Sequence, residues 1–102
     1  MNLNFHEIEA TRKGANYTTK VFSSDMGVEV VRMTLAPNST LPVHTTKMDV
    51  IFYFLSGEGR AILADKEIPV REGSVLDSPK EVPHGIINES DSPMEVLVIK
   101  LM

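Results

Sequence analysis

The sequence predicts an all-β fold, a sandwich or closed barrel, on three observations. Its apolar segments are short, rich in Val, Ile and Phe, and closed by Gly, Pro, Asp, Asn or Ser. They recur at regular spacing, the pattern of strands joined by turns. No segment keeps a 3.6-residue apolar period, and only a weak turn near the N-terminus reads as helical. The candidate strands are 19–22, 28–35, 50–55, 59–63, 66–70, 74–77, 84–88 and 94–102.

Each boundary has a local cause. Pro37-Asn38-Ser39 ends the 28–35 strand, because proline cannot donate to a ladder and asparagine tolerates turn geometry. Gly57 and Gly59 flank Glu58 and are expected to take the positive φ of a tight bend or bulge. Asp65-Lys66 lies between two apolar runs and is expected at a hairpin tip. Gly73 follows Arg71-Glu72 and opens the next strand, and the polar stretch 88–93 precedes the last one. That last strand, MEVLVIKLM, is apolar at nearly every position. A strand apolar on both faces is normally covered on both sides, so a homodimer is expected. The alternative is a monomer whose outer face is covered by its own N-terminal segment.

A chain of 102 residues has room for one core. A single domain is expected, with an N-terminal arm or edge segment over about 1–18 and a barrel over about 28–102. The 42% hydrophobic content suits a packed core. A net charge of −4, with Lys and Arg scattered, argues against nucleic acid as a partner. The longest apolar run, 50–55, is far too short to cross a bilayer, so no membrane partner is expected. The absence of cysteine excludes disulfides, thiolate metal sites and cysteine nucleophiles. The N-terminal stretch has early acidic residues and no apolar core, unlike a signal peptide. A cytoplasmic protein is the expectation.

Two stretches carry the chemistry. HTTKMDVIFYFLSGEG, from His44 to Gly59, and GSVLDSPKEVPHGIIN, from Gly73 to Asn88, each hold one histidine on a strand pattern. In an extended strand His44, Thr46, Met48 and Val50 share a face, as do His84, Ile86 and Asn88. If both faces point inward, His44 and His84 meet near the centre and can begin a metal shell. Taken singly, His44 reads as a strand-end residue held by a backbone carbonyl. His84 reads singly as a buried histidine satisfied by Thr46 or Asn88. Asp77 stands beside Leu76 and near Val75, where an inward carboxylate paired to a histidine could act as acid and base. Its plainer reading is an outward carboxylate on the solvated face. His6 reaches the barrel mouth only if the N-terminus folds over it.

The two stretches resemble the two motifs of the cupin family, small barrels that often hold a metal ion. The first motif has a His-x-His pair, a Glu about four residues on, and a closing glycine. His44 and Gly57 match it, but Thr46 stands for the second histidine and Val50 for the glutamate. Asp49 is adjacent but of the wrong parity, facing away from His44. The second motif matches at Gly73, Pro79, His84 and Asn88, with Glu81 in place of its middle glycine. The resemblance implies a double-stranded β-helix, or jelly-roll barrel, over about three-quarters of the chain.

Its metal positions are half filled. Two neutral histidines bring no charge to offset a divalent cation, and stable sites usually have three or four ligands, at least one often anionic. Three functions follow from this pattern. The first is a barrel with a degenerate metal site that binds a small molecule among His44, Thr46, Met48, Val50, Phe52, Tyr53, Asp77 and His84. The second is a metal-dependent cupin enzyme, dioxygenase- or isomerase-like, using His44 and His84. The third is a dimeric interaction protein. The cofactor is a divalent metal (Zn, Fe, Mn or Ni) or none.

Overall fold

The computed structural model describes residues 4–10 and 12–102. Parts of the N-terminal arm, residues 1–3 and 11, lie outside the described residues. The chain opens with a short 3₁₀ turn, Phe5–Glu7. Strands follow as β1 (Arg12–Lys13), β2 (Tyr17–Ser24), β3 (Val28–Leu35), β4 (Thr40–His44) and β5 (Asp49–Ser56). They continue as β6 (Gly59–Leu63), β7 (Lys66–Val70), β8 (Val75–Ser78), β9 (His84–Asn88) and β10 (Met94–Leu101). One sheet has the order β1-β2-β3-β10-β5-β8 and the other β4-β9-β6-β7. Every pairing is antiparallel, and the two sheets form the expected jelly-roll barrel.

Alternation decides which side chains meet inside. Val31, Met33 and Leu35 of β3, Val50, Phe52 and Phe54 of β5, and Met94, Val96 and Val98 of β10 all point inward and are buried. Ala61, Val70 and Ile86 of the second sheet close the core against them. Fully burying one such large side chain stabilises by about 1.5–3 kcal/mol. Polar groups inside are satisfied. The buried Asn88 amide donates to the carbonyls of Leu35, Ala36 and Ser92, while its oxygen accepts from the Ser90 amide and hydroxyl. Asn88 thus ties β9 to the end of β3 and to the loop before β10, and does not face His84.

Four expected strands keep their bounds; of the others, β2 gains two residues at each end, β5 one at each end, β8 shifts by one and β10 ends one residue early. β1 and β4 were not expected. The hairpin tip is Ala64-Asp65 rather than Asp65-Lys66, since Leu63 pairs with Lys66 and Ala64 takes φ 56°. Of the two glycines around Glu58, only Gly57 has positive φ, at 94°. Gly59 is needed for space instead, because a Cβ there would run into the Ile87 carbonyl on β9. No helix of the described residues is long and apolar enough to cross a membrane.

Candidate functional site

Between the sheets opens a cavity of about 510 Å³, within the range of small-molecule sites. Its apolar wall includes Val31, Met33, Val50, Phe52 and Val98 from the six-stranded sheet. One end holds His44, Thr46 and His84 with Glu29 and Lys100, and Arg12 joins the lining at the level of Thr19 and Met33.

His44 and His84 face each other across β4 and β9, where they are register partners. Their ring centroids lie 4.7 Å apart at 76°. A register shift between Leu41 and His44 makes this contact possible. Those residues sit at an odd offset, yet the bulge lets both line the cavity. His44 is exposed at the strand end, and its Nδ1 lies 3.0 Å from the Pro42 carbonyl. His84 is 4% exposed and packs edge-on against Phe52, centroids 5.1 Å apart. Its Nδ1 lies 2.9 Å from the Ser78 hydroxyl, itself buried on β8. Burial, then the nearby His44, holds the His84 pKa below 6.5, with Lys100 adding to the effect and the Val82 carbonyl opposing it. His84 is therefore a neutral imidazole, anchored by Ser78 rather than by Thr46 or Asn88.

Other expected lining residues fall elsewhere. Residues 45–48 do not continue a strand but carry the chain from the four-stranded sheet to the six-stranded one. His44 and Val50 both face inward because each sheet supplies one wall, not because they share a strand face. Thr46 lines the cavity, but its hydroxyl donates to the Met48 carbonyl at 3.0 Å, and the Met48 side chain lies outside the lining. Asp77 and Tyr53 are exposed on the outer face, because the inward set of β8 and β5 is the opposite parity, Ser78 and Phe52. Asp49 also faces out, accepting from the Lys80 amide at 2.9 Å. His6 lies with Lys20 and Arg32 outside the six-stranded sheet, not at the mouth.

Three charged residues of the site were not anticipated. Lys100 continues the inward series Met94, Val96, Val98 by a step of two, and Glu29 does the same for Val31 and Met33. That period was readable in MEVLVIKLM; its single cation was masked by the apolar run around it. Arg12 comes in through β1, whose two residues carry no strand signal, and pairs with the inward Thr19.

The donor set does not fit a divalent metal. Among the described residues no group of three or more His, Asp or Glu gathers around a point. Thr46 and Val50 stand where further ligands would be needed, and the ammonium of Lys100 enters the same cavity. A second positive charge there opposes a metal cation.

The family described as "Cupin domain" matches residues 31–100. The chain belongs to the cupin family. Solved cupin structures resemble it over nearly its whole length. A predicted oxalate decarboxylase from Thermotoga maritima has a TM-score of 0.88 at 23% identity, covering 100% of this chain and 99% of that one. KdgF from Halomonas sp. has 0.82 at 14% identity, covering 95% and 89%. The polyketide cyclase RemF from Streptomyces resistomycificus has 0.81 at 18%, covering 98% and 78%. At these identities the likeness concerns the fold of the cupin, and fold alone does not assign its reaction. No curated protein matches the sequence.

Proposed function

We propose that this cupin binds a small organic molecule in its barrel cavity and works without a resident divalent metal. The observation that carries the reading is the end of the cavity where His44 and His84 meet, since the only carboxylate lining it among the described residues, Glu29, is paired to Lys100 and no third metal ligand gathers there. Apolar walls beside a few convergent polar groups are the usual make-up of a ligand pocket. Thr46 and Val50 then define shape where a metal-binding cupin would supply charge.

A metal-dependent cupin enzyme is the second reading, favoured by the approach of His44 and His84 to 4.7 Å between ring centroids. Tag-free protein, purified without chelator, separates the two. Under the first reading, elemental analysis after exposure to Zn, Fe, Mn and Ni finds far less than one metal per chain, and none of these ions raises the Tm. Near one metal per chain, lost in the His44→Ala, His84→Ala double variant, would sink it. A ligand at a hundred times its Kd should stabilise the protein by about 2.7 kcal/mol, readable as a Tm rise in a small-molecule screen.

A further inference from the structure

We infer that the molecule accepted by this cavity is an organic anion, its carboxylate or similar group held at Lys100 and its apolar body laid against Phe52, Val31 and Val98. The inference rests on the ligand-binding reading above and names the ligand's class. Lys100 is the central observation. It sits on β10 two residues beyond Val98 and opposite Val50, so its stem runs along apolar wall and its ammonium opens into the cavity. The ammonium has three donors to satisfy. The ion pair it makes is long, 3.7 Å to Glu29 Oε1, and that carboxylate also accepts from the Ser23 hydroxyl at 3.2 Å through its other oxygen. Lys100 is thus poised toward a better acceptor than the one it has.

The charge balance points the same way. The chain as a whole carries −4, yet its cavity gathers Lys100 and Arg12 against Glu29 alone. Among the described residues Arg12 has no ion-pair partner, and it lines the cavity from β1, at the level of Thr19 and Met33. A cavity of opposite sign to the protein's exterior selects anions through its local field. The neutral imidazole of His84 adds hydrogen-bonding capacity without adding charge. A cationic ligand would meet Lys100 there and Arg12 further along the wall. A neutral one would leave Lys100 with its long contact to Glu29.

The experiment compares matched acids and amides on the full chain: hexanoate and phenylacetate against hexanamide and phenylacetamide, with benzyl alcohol as a neutral apolar probe. Titration calorimetry and ligand-observed NMR read the affinities. The expected result is that the acids bind at least about tenfold more tightly than their amides, the scale of a hydrogen bond to a charged group. Lys100→Met should remove that preference and Arg12→Gln, at an exposed position, should reduce it. Glu29→Gln should strengthen acid binding by freeing Lys100. If amides or benzyl alcohol bind as well as the acids, the anion inference falls and the ligand-binding reading stands. Acid binding that survives both Lys100→Met and Arg12→Gln also overturns it, by placing the anion elsewhere. If none of the probes binds, both readings fall together.

Discussion

At the scale of single residues, His84 couples the site to pH. In the folded chain its imidazole is enclosed by Phe52 and Ser78 and faces His44 and Lys100, so burial first, then the nearness of His44 and of Lys100, depress its pKa. The unfolded chain has neither cause and takes up the proton near 6.5. As pH falls through 6.5, the unfolded state therefore binds a proton that folded His84 refuses. Stability contributed by this residue is complete above that value. It is lost on acidification down to the folded pKa, below which the loss no longer grows. The Tm of the wild-type chain should fall between about pH 7.5 and 5 more steeply than that of His84→Gln, whose side chain does not titrate in this window. Equal slopes in the two proteins would show that His84 is not the group responsible. Ser78 belongs to the same argument, because its buried hydroxyl is what fixes the ring orientation at 2.9 Å.

At the scale of elements, the mouth of the cavity is held by the loop between β8 and β9. The Glu81 amide donates to the Thr46 carbonyl at 2.8 Å and the Lys80 amide to Asp49 Oδ1, pinning this loop to the crossing segment before β5. Glu81 pays for that contact with φ 67°, in the left-handed region, at the position where the cupin motif has glycine. Such a backbone costs a residue with a Cβ about 1–2 kcal/mol. Glycine would relieve it while gaining about 0.5–1 kcal/mol of unfolded-state freedom. Glu81→Gly should therefore stabilise by up to about 1.5 kcal/mol, a Tm rise of several degrees in a domain this size. Glu81→Ala keeps the strain and should gain nothing; a glycine variant no more stable than the alanine one would refute this. The motif made that position readable, just as the period-two apolar strands made β3, β6, β7 and β9 readable to the residue. β4 was not, because TLPVH contains a proline that an edge strand tolerates but a strand pattern discourages. Missing β4 led to His44–Val50 being read as one strand, and so to Met48 being placed inside. Lys100 escaped notice for the opposite reason: its strand was recognised, but its inward parity was not followed to the end.

At the scale of the whole molecule, the outer face of the six-stranded sheet bears on the expected homodimer. Strand registers set Phe22, Val30, Ile99 and Ile51 in one row ending at Asp77, and Leu97, Tyr53 and Val75 beside it in the next, which begins with Lys20 and Arg32. The N-terminal turn covers only the Lys20 and Arg32 end, where the Lys20 ammonium donates to the Phe5 carbonyl at 3.0 Å. Among the described residues the N-terminal segment covers this face in part, and Tyr53 and Val75 are 38% and 62% exposed. A second copy suits the remainder. β10 lies between β2–β3 and β5–β8, so a two-fold axis along it reverses each row. Phe22 then faces the Asp77 end of the same row in the other copy and Lys20 faces the Val75 end of its own, while the apolar middles stack. Sedimentation equilibrium should give twice the chain mass, and Tyr53→Lys with Val75→Lys should give the single-chain mass with the fold intact by circular dichroism. Because both positions are exposed in one chain, their replacement costs the monomer little, within about 0.5 kcal/mol each. A wild-type chain that sediments as a monomer, or a double variant that still dimerises, would remove this face from the argument and leave the exposed rows without a covering partner.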